Sequence, residues 1–297
     1  MTHRRLLPAL LLLAFSFWSP GELRAQVTEL PGQVAPRMAP AVPVPFGPGE
    51  RLEYDVRLGA LGTRGRGYMA VVGLESVRGR TAYHVDMYIE GGLLFAKVED
   101  RYQSWFDVSN LVSLRFIQDV DEINYERYRH WEIYPEELRF ERLDKGTGGS
   151  IATDLPLDDV SFFYFVRSLP LEVGKEYSFN RYFKEDGNPV IIKVLRKDTV
   201  EVPAGTFPTI VVEPVIQTDG LFEDGKAELH FSDDEKRHLI LMSSKVPLIG
   251  SLSLHLRSLR EGTPLRPLAG IREEEVRSLL SVPPPRPLSG DEAGGKR

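Results

Sequence analysis

Arg51-Leu-Glu-Tyr-Asp-Val-Arg-Leu58 decides the fold. Leu52, Tyr54, Val56 and Leu58 alternate with Arg51, Glu53, Asp55 and Arg57, so a strand here carries four apolar side chains on one face and four charged ones on the other. Comparable β-rich runs follow at 67–75, 80–90, 97–106, 111–119, 123–134, 137–143, 176–183, 189–202, 207–214, 227–232, 238–244 and 250–259. They are separated by turn signals such as Arg78-Gly79, Gly91-Gly92, Asp186-Gly187-Asn188 and Pro203-Ala204-Gly205. The pattern predicts an all-β domain of sequential antiparallel strands.

One segment breaks the pattern. Across 158–169, Phe162, Phe163, Phe165, Val166 and Leu169 surround most of a helix, with Asp158 or Asp159 placed to cap it and Pro170 to end it. A short helix this apolar must be covered. The expectation is a strongly curved antiparallel sheet, or an open barrel-like domain, with this one short helix plugging an opening.

Working outward, residues 26–45 hold Pro31, Pro36, Pro40, Pro43 and Pro45 and few bulky side chains, which predicts an extended linker. Upstream, His3, Arg4 and Arg5 precede an apolar run from Leu6 to Trp18 and the small-residue site Leu23-Arg24-Ala25, the order of a secretory leader over 1–25. The run is too short to span a bilayer, which takes about 20 residues. Cleavage after Ala25 is therefore expected, with no transmembrane span afterwards and residence in the periplasm or on the extracellular side of the cell envelope. Beyond 260, Pro264, Pro267, Pro283, Pro284, Pro285 and Pro287 lead into a Gly-rich charged tail, so the folded unit is expected over 46–260 and a tail over 261–297. Within that tail, 271–280 can form two or three helical turns only if docked.

The chain has no cysteine and a formal charge of −6, about −8 once the leader is removed. The core alone must hold the fold. A nucleic-acid partner, which wants a positive footprint, is not expected.

Of the histidines after the leader, His84, His130, His230, His238 and His255, no two have His-x-x-x-His spacing. His84, Asp86 and Tyr88 share one face of a strand, and His230, Asp233, Asp234 and His238 cluster around a hairpin where a metal such as zinc is conceivable. Strand alternation and a polar turn account for both groups without chemistry. No Gly-x-Ser-x-Gly elbow and no phosphate-binding loop are present. Accordingly no catalytic residue, metal ligand or cofactor is assigned.

The aromatic residues are more suggestive. Tyr102, Trp105, Phe106, Phe116, Tyr125, Tyr128, Trp131 and Tyr134 fall on neighbouring strands in both parities, which core filling alone accounts for, with an aromatic-lined groove for a partner, ligand or second layer as the alternative. Tyr102, Trp105, Tyr128 and Trp131 are the candidate ligand-binding residues. The functional expectation is an exported, non-enzymatic envelope protein binding an apolar or amphipathic ligand, a lipid or glycan-lipid, or a segment of an envelope protein. A carboxylate- or metal-dependent hydrolase, and a structural envelope protein acting through its outer surface, stay open beside it.

Several stretches also resemble a known family: Phe46-Gly-Pro-Gly-Glu-Arg-Leu-Glu-Tyr54, Asp158-Asp-Val-Ser-Phe-Phe-Tyr-Phe-Val-Arg-Ser-Leu169, Val202-Pro-Ala-Gly-Thr-Phe207, and Leu229-His-Phe-Ser-Asp-Asp-Glu-Lys-Arg-His238 with Ile249-Gly-Ser-Leu252. Together they resemble the bacterial domain-of-unknown-function family DUF3108. The resemblance implies a secreted or periplasmic, mostly antiparallel β domain, and it brings no catalytic residues to carry over.

Overall fold

The computed structural model describes residues 41–93, 96–122, 125–216, 227–246 and 250–288. The predicted leader and most of the predicted linker lie outside these residues, as does the end of the tail. The strands are β1 (Arg51–Leu58), β2 (Thr63–Val77), β3 (Arg80–Leu93), β4 (Ala96–Asp107), β5 (Ser113–Glu122), β6 (Tyr125–Tyr134), β7 (Arg139–Arg142) and β8 (Thr147–Ser150). After helix α1 (Ser161–Arg167) come β9 (Lys175–Phe179), β10 (Val190–Val202), β11 (Gly205–Val215), β12 (Ala227–Ser232), β13 (Leu239–Val246) and β14 (Gly250–Arg260), then helix α2 (Glu273–Leu279) and β15 (Arg286–Pro287). All join one sheet in the order β15-β9-β10-β11-β12-β13-β14-β1-β2-β3-β4-β5-β6-β7-β8. Strand β1 is the seam: it pairs antiparallel with β14 on one side and β2 on the other, uniting the two halves of the chain.

The all-β, antiparallel character agrees with the alternation in β1, where Leu52, Tyr54 and Val56 are buried. The expected architecture does not. The ladder ends at β15 and β8, which do not pair with each other among the described residues, so the sheet is open and is neither closed nor strongly curled. Closure needs the first and last strands to share a ladder. Here β15 is two residues long and includes Pro287, which has no N–H to donate, and β8 is the exposed four-residue run Thr-Gly-Gly-Ser. Nor is α1 a stopper in an opening. It lies in the core that backs the sheet, and α2 is a second helix.

Every residue of α1 is buried, and Phe162, Phe163, Tyr164, Phe165 and Val166 join Phe46, Val85, Phe116, Trp131, Tyr177 and Ile192 in one continuous core. A helix apolar on all sides is stable only when enclosed in this way. The face of the sheet toward α1 is the inner face. On the outer side a small second cluster gathers Val77, Ala82, Trp105, Val112 and Leu114.

The segment after β14 is held against the domain. Val276, Leu280 and Val282 are buried, and Leu288 N–H donates to Gly174 O at 3.0 Å. Helix α2, seven residues long, owes its order to this docking.

Candidate functional site

Strand pairing sorts the candidate aromatics onto opposite faces. Trp131 opposes Phe116, which opposes Ser104, and this row faces α1; Tyr102 shares the parity of Ser104. Trp131 is buried and stacks on Phe116 with centroids 5.4 Å apart, and Tyr102 packs partly against the core. Trp105 and Tyr128 have the opposite parity and face outward. Of the four, Tyr128 is the exposed one, at 53%. The structure brings Trp105 and Tyr128 to one face and Tyr102 and Trp131 to the other. The side chain of Tyr125 lies outside the described residues.

The outer face of β2–β6 is a layer of rings and charges that satisfy one another. Arg51 sits 3.8 Å over the ring of Tyr68, which stacks on Tyr88 at 5.6 Å. The Tyr68 hydroxyl donates to Asp86 Oδ2 at 2.8 Å, and Arg101 grips the same carboxylate with two bonds of 3.0 and 2.9 Å. Bidentate charge-assisted pairs of this kind are the stronger and more directional ones.

Beside them, His84 stacks on Trp105 at 4.3 Å, nearly parallel, and Trp105 Nε1–H donates to Glu75 Oε2 at 2.8 Å. His84 Nδ1 lies 2.8 Å from Glu75 Oε1 without the alignment of a hydrogen bond. Further along, Glu132 receives Arg78, Arg115 and His130 Nε2. Burial works to raise the Glu132 carboxyl, yet Arg115, His130 and Arg78 together hold it below its ordinary range.

The residues first considered for chemistry do not converge. His84 and Asp86 share a face but take separate partners. His230 lies near Thr209 and Glu228; Asp233 pairs with Lys197 and Arg237. Asp234 accepts from Ser232 Oγ and from the N–H groups of Lys236 and Arg237, as a turn aspartate does. His238 points elsewhere, with Nε2 3.8 Å from Glu50 Oε2. Among the described residues no group of three or more His, Asp or Glu side chains is placed to hold a metal.

Two polar centres are buried: the Glu50–Arg167 pair, which the sequence reading missed, and Asp158, which it placed as a helix cap. Arg167, on α1, makes a double bond-pair with Glu50 at 2.6 and 2.8 Å and donates to Lys236 O at 3.0 Å. Its one sequence signal is an arginine inside an otherwise apolar helix. Asp158 accepts from Ser104 Oγ at 2.6 Å and, through Oδ1, from the N–H groups of Val160 and Ser161 at 2.9 Å. Burial pushes its carboxyl up to about 6 despite these donors. Both centres are sealed from solvent, which suits them to holding α1 in place.

Residues 53–257 match the family described as "Protein of unknown function (DUF3108)". The chain belongs to this family. The matched DUF3108 span contains the outer-face layer except Arg51, and all of α1. No curated protein matches the chain. Among solved structures, the chain is similar to a β-barrel-like protein of the DUF1849 family from Brucella abortus, at 10% identity and TM-score 0.45, covering 74% of this chain and 100% of that one. It is also similar to a lipoprotein candidate from Parabacteroides distasonis (10% identity, TM-score 0.31, 74% and 99% covered). An exported-protein candidate with a YmcC-like fold from Bacteroides fragilis stands at 11% identity and TM-score 0.27, with 74% and 100% covered. Likenesses this distant carry no argument about what the DUF3108 domain does. No helix among its described residues is long and apolar enough to cross a membrane.

Proposed function

We propose that this DUF3108 protein is exported to the cell envelope and acts there by binding a protein partner on the outer face of β2–β6. The observation that carries this reading is Tyr128, an aromatic ring more than half exposed. It lies opposite Asp119, which in turn lies opposite Arg101, on a face whose other arginines and histidines are ordered by neighbouring side chains. Rings and arginines held ready in this way are the composition of interface hot spots, because little side-chain freedom is left to lose on binding.

The inner face supports a ligand groove less well, since α1 and the core occupy it. A small molecule or acyl chain needs a concavity that encloses most of its surface, and an open sheet face favours a protein instead. The charges here are of both signs, with Arg101 and Arg115 beside Asp86, Asp119 and Glu132, which fits a partner surface better than a uniformly anionic one. Export rests on the leader read over residues 1–25.

A photo-crosslinking residue placed in living cells at Tyr128, or at Gln103, which shares the outward parity of Arg101 and Trp105 on β4, tests the reading, with Val173 and Leu265 as exposed control positions. The expected result is one discrete adduct from the outer-face positions, absent from the controls and lost when Arg101 is changed to Glu. Equal labelling at all positions, or an adduct indifferent to Arg101, would refute it.

A further inference from the structure

Arg181, just after β9, is buried to 3% exposure, and among the described residues no carboxylate pairs with it. Its guanidinium donates to three backbone carbonyls: Nε to Leu155 O at 2.8 Å, Nη1 to Leu280 O at 3.1 Å and Nη2 to Asn110 O at 3.2 Å. These use three of its five N–H groups. The ring of Phe165, 4.4 Å away, covers one side. Burial drives the guanidinium down to about 9, against the opposing pull of the exposed Asp154.

Arg181 lines a surface-open cavity of about 390 Å³, together with Leu155, Ser178, Phe179, Asn180, Ser281 and Pro283. Ser178, Ser281 and Asn180 in this lining are neutral residues that carry hydroxyl and amide groups, and none of the lining residues is acidic. We infer that this cavity, between β9 and the residues following α2, binds a phosphate group. A buried cation with no carboxylate bonded to it sets up a positive potential in the adjoining space, and an oxyanion with several acceptor oxygens matches one guanidinium and three neutral donors. The inference uses other residues than the outer face and stands whether or not the partner reading holds.

The test uses the full mature chain. Thermal unfolding is followed with inorganic phosphate against chloride at matched ionic strength, alongside flotation with phosphatidylglycerol vesicles, for the wild type, Asn180→Asp and Asn180→Ala. Replacing Arg181 itself would also release three carbonyls, so it is avoided. Asn180→Asp sets a carboxylate at the cavity and should compete with the ligand, whereas Asn180→Ala removes one donor only. With phosphate at about 100-fold over Kd the midpoint should rise saturably by about 5–10 °C in the wild type. That rise should be lost in Asn180→Asp and retained, at weaker affinity, in Asn180→Ala. Such a response makes free phosphate the ligand. Vesicle binding lost in Asn180→Asp, without a response to phosphate, makes a lipid headgroup the source. A phosphate effect equal to that of chloride with no vesicle binding, or effects that persist in Asn180→Asp, would overturn the inference.

Discussion

Arg167 and Glu50, 117 residues apart, meet in the core through two hydrogen bonds of 2.6 and 2.8 Å, each side chain no more than 2% exposed. The pair ties the entrance of β1 to α1, and the further bond from Arg167 to Lys236 O adds the β12–β13 turn. Removing one member leaves a buried charge without its counter-ion, which costs about 3–5 kcal/mol. Arg167→Met should therefore lose that much in urea unfolding. Adding Glu50→Leu to it should recover most of the loss, because a buried pair exchanged for apolar groups of similar size is close to neutral. A single variant within 1 kcal/mol of wild type would contradict this role.

The division of aromatics between faces predicts opposite outcomes for two residues three positions apart. Trp131→Ala removes a ring stacked in the core and should cost about 3–5 kcal/mol. Tyr128→Ala, at an exposed site, should stay within about 0.5 kcal/mol. Chemical denaturation of the two variants checks this, and similar losses would mean that the faces have been misassigned.

That division also shows what was legible beforehand. Alternation in β1 showed that Leu52, Tyr54 and Val56 share a buried face, because each strand carries its own parity. The same rule says that Trp105 and Tyr128 take opposite parities from Tyr102 and Trp131 within their strands. It does not say which parity faces α1, since that depends on the pairing of β4, β5 and β6. The helix was legible from its own residues, although α1 is confined to Ser161–Arg167, with the Asp158 side chain bonding its first N–H groups. The open sheet was not legible, because alternation reports burial and carries no information on whether the end strands meet. Nor was the Glu50–Arg167 pair, whose members only the tertiary fold brings together.

Stability should fall in mild acid. Burial and the neighbouring Arg167 lower the pKa of His238, with Glu50, Asp234 and Glu261 acting in the opposite sense. His230 is lowered chiefly by burial, and burial takes His255 down to about 4. A histidine depressed in the folded state contributes stability that is full above about 6.5 and is lost as pH falls through the folded value. Asp158, raised to about 6, has the opposite sign: its contribution is full below about 4 and is lost as pH rises through 6. With three histidines set against one aspartate, the unfolding free energy should drop between pH 7.5 and 5. His238→Gln should flatten that slope. An unchanged slope in the variant, measured by urea unfolding at both pH values, would exclude His238 as a contributor.

Gly47 permits a close approach between the entrance segment and the residues after β14. A Cβ there would lie 2.0 Å from Thr263 O, against backbone that cannot swing aside. Gly47→Ala should cost about 1–3 kcal/mol or more. Gly73, whose added Cβ meets nothing within 4 Å, provides the control, and Gly73→Ala should be close to neutral in thermal unfolding.

The partner-binding account is tested most directly by hydroxyl-radical footprinting of Tyr128, in intact envelopes and on the purified protein. The account predicts that oxidation of Tyr128 falls several-fold in the envelope, while Val173 and Leu265, exposed elsewhere, react equally in both settings. Tyr128 reacting as fast in the envelope as in isolation would contradict it.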